Sequence, residues 1–247
     1  MERSPAIDDA RLATLFAKEA ERFAAAHPRA AALAARAGAS LVGGVPMSWM
    51  QRWASPVPPY AVSARGATIT DADGHDYLDL ALGDTAAMAG HAPAALTRAI
   101  AAQLELGATT MLPSEAAIEA AEELTRRFGL PLWQLCLTAT DANRFALRIA
   151  RAVTKRPKIL VHNWCYHGTV DETFAIARPG GAAGAAQARP GNTGPQVDPA
   201  STTRVVEIND LAATEAALAA GDVAAILIEP ALTNRSEEHT SELQSRG

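Results

Sequence analysis

The sequence predicts an α/β fold in which a mostly parallel sheet carries helices on both faces. From residue 133 onward, predicted strands and helices alternate along the chain, and such alternation implies right-handed crossovers between parallel strands. An N-terminal helical segment and a β-meander precede this region. The chain has 247 residues, of which 49% are hydrophobic. A sizeable buried core is therefore expected rather than a disordered chain.

The first half of the chain is predicted to hold helices around one meander. Apolar residues at helical spacing predict four helices, over residues 9–26, 29–36, 92–106 and 114–128. Strands over residues 61–70 and 77–82 flank the turn Asp71-Ala72-Asp73-Gly74. This turn is expected to close a hairpin, since glycine supplies the positive φ that hairpin turns need.

The second half is predicted as alternating strands and helices. The strands cover residues 133–138, 158–163, 204–209 and 223–229, and the helices cover residues 140–154 and 210–220. Residues 178–203 lack periodicity and are predicted to form a long loop. The helix over 140–154 is expected to bury one stripe and to point its arginines outward. The stripe is Ala142, Phe145, Ala146, Ile149, Ala150 and Val153, and the arginines are Arg144, Arg148 and Arg151.

Charge and cysteine content exclude several classes of protein. The 22 Lys and Arg against 27 Asp and Glu give a net charge of −5, so no nucleic-acid partner is expected. Cys136 and Cys165 cannot make a disulfide framework. The N-terminus has no apolar signal segment, and the longest aliphatic run, Val223–Ile228, is too short to span a bilayer. We therefore expect a cytoplasmic protein without a membrane partner.

The last thirteen residues, 235–247, differ from the rest of the chain. Eleven of them, Arg235–Ser245, match the translation of a sequencing adapter. Chance is a poor explanation for such a run, so residues 235–247 are treated as a non-native tail and excluded from the fold. The expectation that follows is that the natural protein continues past Asn234, which makes this chain a fragment with a truncated sheet.

Polar residues follow three of the predicted strands. Thr138-Ala139-Thr140 begins a helix, and such a start suits a phosphate because free amides and the helix dipole point at it. Taken alone, simple capping by Thr140 or Asp141 explains these residues better. The polar segments after the other two strands are Asn163–Gly168 and Glu229–Asn234. Because parallel strands end at one edge of a sheet, the three segments are expected to form one site.

The loop after the second of these strands contains potential metal ligands and a potential nucleophile. His162, Cys165 and His167 lack further ligands at zinc spacing, so no metal is assigned. Cys165 and His167 are disfavoured as a nucleophile–base pair, since two residues apart on an extended loop they point poorly at each other. The sequence contains no Gly-x-Ser-x-Gly, Walker or Gly-x-Gly-x-x-Gly motif.

Five motifs together resemble the class III pyridoxal-phosphate aminotransferases, in particular the branch that contains glutamate-1-semialdehyde aminomutase. In chain order they are Asp71-Ala72-Asp73-Gly74-His75-Asp76-Tyr77-Leu78-Asp79, Gly90-His91, Thr138-Ala139-Thr140-Asp141-Ala142, Tyr166-His167-Gly168 and Glu229-Pro230 through Asn234. The resemblance covers residues 40–234. It implies a fold-type I transferase, with part of the small domain in residues 1–85 and a partial cofactor-binding domain in residues 86–234.

The resemblance also implies roles for individual residues. Thr138, Ala139 and Thr140 match the Ser-Gly-Thr loop that holds the phosphate of pyridoxal 5'-phosphate. The remaining matches are Tyr166 stacked on the pyridine ring, His167 beside it, Asn234 at the phenolic oxygen and Asp84 toward the substrate. Three positions depart from the family, with Ala139 for glycine, Asp141 for glutamate and Trp164 for a small residue. A homodimer acting on a small-molecule amino donor and acceptor is implied as well.

Amino-group transfer requires a lysine that bonds to the cofactor and moves a proton. The three lysines, Lys18, Lys155 and Lys158, lie in a helix or at a helix–strand turn. The fragment is therefore expected to be inactive, and no catalytic residue is assigned. Two alternatives remain, a lysine-less protein that binds the cofactor or another phosphate ligand, and a nucleotide-binding α/β protein. The sequence does not separate aminotransferase from aminomutase, because both share this half of the site.

Overall fold

The structure, a computed structural model, describes residues 8–83, 86–191 and 198–229. It divides into two compact units between Leu112 and Pro113. The predicted domain division at residue 85 came from the family resemblance and stays a prediction. Within the described ranges, no helix combines the length and apolar character needed to cross a membrane.

The N-terminal unit contains three helices and one antiparallel sheet. The helices are α1 (Asp9–Ala26), α2 (Pro28–Ala37) and α3 (Ala94–Leu106), and the strands, in the order β1-β2-β3, are β1 (Ala61–Arg65), β2 (Thr68–Asp71) and β3 (Asp76–Leu78). The predicted strand over 61–70 is in fact two strands. Gly66, with φ of 57°, turns the chain between them and forms an isolated bridge with His91.

Two carboxylates that follow β2 link the meander to other parts of the N-terminal unit. The Asp73 carboxylate accepts hydrogen bonds from the amides of Arg29 and Ala30 at 2.7 and 2.9 Å, and so caps α2 from outside the helix. The Asp79 carboxylate accepts a 2.6 Å hydrogen bond from Nε2 of His91. The hairpin motif therefore contributes to the fold, since its carboxylates join the meander to α2 and to the turn before α3.

The C-terminal unit is built on a parallel sheet with the order β7-β4-β8. Its helices are α4 (Glu115–Phe128), α5 (Ala139–Thr154), α6 (Pro199–Thr202) and α7 (Leu211–Leu218), and its strands are β4 (Lys158–His162), β5 (Ala175–Ala177), β6 (Ala186–Ala188), β7 (Thr203–Val206) and β8 (Val223–Leu227). β4 pairs in parallel with both β7 and β8. The predicted parallel sheet with crossover helices is confirmed.

Strand β4 is buried on both faces. Ile159 and Val161 join the cluster that contains Leu147 of α5, whereas Leu160 joins the cluster that contains Ala217 of α7. All three β4 residues are fully buried. Because successive strand residues point to opposite faces, this alternation explains why a run of aliphatic residues, rather than an amphipathic pattern, marks the centre of the sheet.

The predicted strand over residues 133–138 is absent from the described structure. Its residues do not pair with β4, β7 or β8, and a strand exists only where a neighbour supplies hydrogen-bond partners. Leu137 is 99% exposed. The indole of Trp133 instead donates to Oγ1 of Thr125 in α4, at 3.1 Å.

The predicted buried stripe of α5 is wrong. Leu147 is buried, whereas Phe145, Ile149 and Val153 of that stripe are exposed. The helix carries apolar side chains on more than one side, so periodicity alone does not decide which side meets the sheet.

Two arginines predicted to point outward bind the chain after β4 instead. Arg144 donates to the carbonyl of Thr169 at 2.9 Å, and Arg151 forms a 2.7 Å ion pair with Glu172. The predicted loop over residues 178–203 is also only partly correct, because it contains β6 and α6. Elements of three and four residues are too short to show a periodicity.

Replacing Leu160 with alanine is expected to lower the free energy of unfolding by about 2–5 kcal/mol, since the change removes buried methyl groups and leaves a cavity. Chemical denaturation followed by circular dichroism measures it. The matched control is Leu211→Ala on α7, where the side chain is 75% exposed. Equal losses in the two variants would contradict the assigned core.

The ion pair between Arg204 and Asp222 predicts a pH dependence. Two hydrogen bonds from Arg204, at 2.7 and 2.8 Å, lower the pKa of Asp222 from its ordinary 3.8. The stabilisation from Asp222 is then complete above pH 3.8 and is lost as the pH falls through the lower folded-state pKa. The difference in unfolding free energy between wild type and Asp222→Asn should therefore shrink at acid pH. In an Arg204→Met background, which lacks both of these hydrogen bonds, the difference should depend less on pH.

Candidate functional site

The first turn of α5 presents free amides. Thr138 caps this helix, since its Oγ1 accepts from the amide of Asp141 at 3.1 Å and donates to that residue's carboxylate at 2.8 Å. The cap is therefore Thr138 and not Thr140 or Asp141. The amides of Ala139 and Thr140, the first two helical residues, have no acceptor within the helix, so they are available to an anion.

The loop after β4 lies directly against this helix start. The amide of Thr169 donates to Oγ1 of Thr140 at 3.0 Å, and the side-chain amide of Asn143 donates to the carbonyl of His167 at 3.2 Å. Gly168 has a φ of +73°, and a Cβ added there would lie 2.2 Å from Oγ1 of Thr140. Only glycine therefore allows the loop to approach this closely.

The end of β8 joins the same group of residues. The carboxylate of Glu229 accepts a 3.1 Å hydrogen bond from the amide of Tyr166. The described parts of the three segments therefore lie together as expected, although the first of them does not follow a strand of the sheet. Two further site residues predicted from the sequence, Asp84 and Asn234, lie outside the described residues.

Neighbouring residues of the loop point in different directions. Tyr166 is 51% exposed, whereas His167 is only 7% exposed. Burial lowers the pKa of His167, the charge of Glu229 opposes this effect, and His162 and Arg189 add to it. The ring is therefore neutral at pH 7. Its Nε2 is a buried polar atom without a partner in the described structure, which makes it available to a group bound next to it.

Cys165 is excluded as a nucleophile by its surroundings. Burial raises the pKa of its thiol to about 12, so the reactive thiolate is absent at neutral pH. The carbonyl of Cys165 accepts a 2.6 Å hydrogen bond from Arg189, whose guanidinium also lies 5.4 Å from the ring centre of Trp164. Sequence reasoning missed Arg189, because it follows a Gly- and Ala-rich stretch that carries no motif.

Two departures from the family pattern have a structural explanation. Ala139 lies in the first helical turn and is not among the residues with a positive φ, so this position does not require glycine. Trp164 does have a positive φ, of 61°, which is an uncommon conformation for a bulky residue. Its contact with Arg189 offsets part of that cost, since a cation over an aromatic ring is attracted to it.

Two of the three lysines lie away from this site. Lys158 is the first residue of β4 and pairs with Asp222 at 3.4 Å, and Lys155 follows the last residue of α5. Both therefore lie at the amino-terminal edge of the sheet, opposite Tyr166. Lys18 belongs to α1 in the N-terminal unit.

Replacing Gly168 with alanine should destabilise the protein by at least about 1 kcal/mol more than the same change at Gly180, because overpacking adds to the positive-φ strain. Gly180 has a similar φ of +68° but no atom within 4 Å of its added Cβ. Denaturation curves measure both losses.

A second background tests the cause of that loss. The Gly168→Ala change should cost less when Thr140 is already alanine, because the clashing Oγ1 is then missing. An unchanged cost in the Thr140→Ala background would show that this contact does not hold the loop in place.

The comparisons with known proteins agree with this geometry. The pattern of the family described as aminotransferase class-III matches residues 49–240. Crystal structures of a glutamate-1-semialdehyde aminomutase from Pseudomonas aeruginosa PAO1 superpose with a TM-score of 0.86, at 48% identity, over 92% of this chain and 50% of theirs. An omega-transaminase from Sphaerobacter thermophilus superposes with a TM-score of 0.72, at 32% identity, over 88% of this chain and 52% of its own.

Sequence comparison gives the same family. The glutamate-1-semialdehyde 2,1-aminomutase 1 of Cenarchaeum symbiosum is 36% identical over 187 residues, which are 74% of this chain and 43% of that protein. The chain therefore spans about half the length of the relatives it matches. The parallel sheet and the matched residues both lead to one conclusion, that this chain belongs to the class III aminotransferase family.

Proposed function

We propose that this chain forms the phosphate-binding and ring-stacking part of a pyridoxal 5'-phosphate site that transfers an amino group. The substrate class is an amino acid or an amino aldehyde, and the reaction is that of an aminotransferase or a 2,1-aminomutase. The observation that carries the proposal is the 3.0 Å hydrogen bond between Thr169 and Thr140, because it brings the Tyr166 loop to the free amides of α5. Relatives support it, since one was crystallised with PMP and another transaminase with PLP.

The residues present fit this cofactor. The amides of Ala139 and Thr140 suit a phosphate because they are unpaired within the helix and lie at its positive end. The half-exposed ring of Tyr166 is free to stack on a pyridine ring, and its backbone is fixed by Glu229. The unpartnered Nε2 of His167 lies beside Tyr166 and offers a further polar contact. Asn234 at the phenolic oxygen and Asp84 toward the substrate complete the proposed set.

When bound, pyridoxal 5'-phosphate serves as an electron sink for the carbon that carries the amino group. The residues described here hold and orient this group, but none of them is placed to move the substrate proton. His167 is buried, and Lys155 and Lys158 lie at the opposite edge of the sheet. We therefore infer that the 247-residue chain binds the cofactor without turning over amino acids.

The alternative is a lysine-less protein that binds pyridoxal phosphate or another phosphate ligand without transaminase activity. The position of Lys155 and Lys158 favours it, since both lie at the wrong edge of the sheet. A homodimer in the cytoplasm is proposed in either case. The exposed apolar side chains of α3, which include Leu96, Ile100 and Leu104, support an association, because large exposed apolar surfaces mark interaction sites.

A hybrid enzyme tests the proposal. Residues 1–229 of this chain would replace the matching half of the Pseudomonas aeruginosa aminomutase. We expect the hybrid to bind PMP, measured by fluorescence titration, and to convert glutamate-1-semialdehyde. PMP is the suitable probe because it has no aldehyde that reacts with surface lysines. Tyr166→Ala in the hybrid should weaken PMP binding by about tenfold, as expected for the loss of one aromatic contact.

The control for this variant is Tyr60→Ala, which removes a tyrosine that lies in the N-terminal unit next to β1. A folded hybrid that binds PMP but has no activity would favour the lysine-less alternative. A folded hybrid that does not bind PMP would contradict the proposal and would leave only a protein that binds another phosphate ligand. Turnover by the 247-residue chain itself would contradict the inference drawn from its lysines.

A further inference from the structure

A cluster of metal-ligating side chains lies in the N-terminal unit, outside the proposed site. We propose that His27, Asp71 and His75 form a binding site for a divalent zinc ion. One potential ligand atom from each of the three residues lies within 4.8 Å of those of the other two. His27 stands between α1 and α2, whereas the other two residues flank the turn after β2. A bound ion would therefore tie the helical corner to the meander.

The distances match those between zinc ligands. Oδ2 of Asp71 lies 3.3 Å from Nε2 of His27 and 3.1 Å from Nδ1 of His75. Zinc bonds of about 2.0–2.1 Å in a tetrahedron place neighbouring ligand atoms about 3.3 Å apart. The two contacts to Asp71 thus already have the required spacing. His75 closes the third separation by turning its ring, which is 42% exposed and whose centre lies 4.5 Å from that of the His27 ring.

The surroundings of His27 set the correct tautomer for a ligand. Its Nδ1 lies 2.7 Å from the carbonyl of Phe23, and a carbonyl only accepts, so Nδ1 carries the proton. In that tautomer the lone pair is on Nε2, which lies 2.9 Å from the hydroxyl of Tyr77 and 3.3 Å from Oδ2 of Asp71; the ion would take the place of the Tyr77 contact. A histidine that donates its other nitrogen to a backbone carbonyl is the usual arrangement of a metal ligand.

The second oxygen of Asp71 is held as well. Its Oδ1 accepts hydrogen bonds from the amides of Asp73 and His75, both at 2.9 Å. Its Oδ2 accepts from Nδ1 of His75 at 3.1 Å, and a bound ion would replace the proton of that bond, since metal ligands bind in their deprotonated form. The hydroxyl of Tyr77 donates to Oδ2 at 2.8 Å. A carboxylate oxygen has two lone pairs, so this bond and an ion can share it. Water completes the coordination on the exposed side of His75.

The experiment uses the full chain and Zn²⁺ in competition with a chromophoric chelator. We expect one Zn²⁺ per chain, and we expect His75→Asn to weaken binding by at least about tenfold, since it removes one of three protein ligands. Asparagine keeps a donor for Asp71, and the amide of residue 75 is unchanged, so the variant should fold. Co²⁺ should give the visible absorption of a tetrahedral site in the wild type and lose it in this variant.

The matched control is Asp76→Asn, which removes the neighbouring carboxylate that accepts from Thr70 and should leave zinc affinity unchanged. Zn²⁺ should also raise the Tm of the wild type more than that of His75→Asn, because a ligand that binds only the folded state stabilises it. Equal zinc affinity in the wild type and His75→Asn would overturn the proposal. So would the absence of binding, and the three residues would then form only a hydrogen-bonded cluster.

Discussion

The burial of β4 on both faces is the constraint on which the C-terminal unit depends. Ile159 and Val161 pack toward α5, and Leu160 packs toward α7, so the strand has no freedom to shift or to rotate. A one-residue slip would turn each of these side chains to the opposite layer. The loop that follows β4 begins from this fixed position. The placement of Tyr166 and Gly168 against α5 is therefore a consequence of how the strand is packed.

The two edges of the parallel sheet differ in whether their polar and charged groups are already paired. At the amino-terminal edge, Lys158 and Arg204 both pair with Asp222 and hold the strands together. At the carboxyl edge, the amides of α5 have no acceptor within the helix and the ring of Tyr166 is half exposed. Charged groups that are already paired stabilise the fold but are poorly suited to bind a ligand. This separation explains why the lysines nearest to the sheet do not contribute to the proposed cofactor site.

Residues with a strong local signal were predictable from the sequence. The run Ile159–Val161 and the hairpin turn at Asp71–Gly74 were both assigned correctly, because burial and turn chemistry act within a few residues. Contacts between distant segments were not. The bond between Glu229 and Tyr166 and that between Asp73 and Arg29 span 63 and 44 residues, and nothing in either local pattern indicates its partner. Residues 133–138 have the composition of a strand, but composition does not supply a neighbouring strand.

The described part of the proposed cofactor site is held mainly by residues close together in the sequence. Its hydrogen bonds join Thr140 to Thr169 and Asn143 to His167, and both ends of each bond lie between residues 138 and 169. The contacts of Tyr166 with Glu229 and of Cys165 with Arg189 reach farther along the chain. The exposed Leu137 and Phe145 take no part in these hydrogen bonds. The described part of the proposed site therefore depends on α5, the loop after β4 and the end of β8, and does not require residues 133–138 to form a strand.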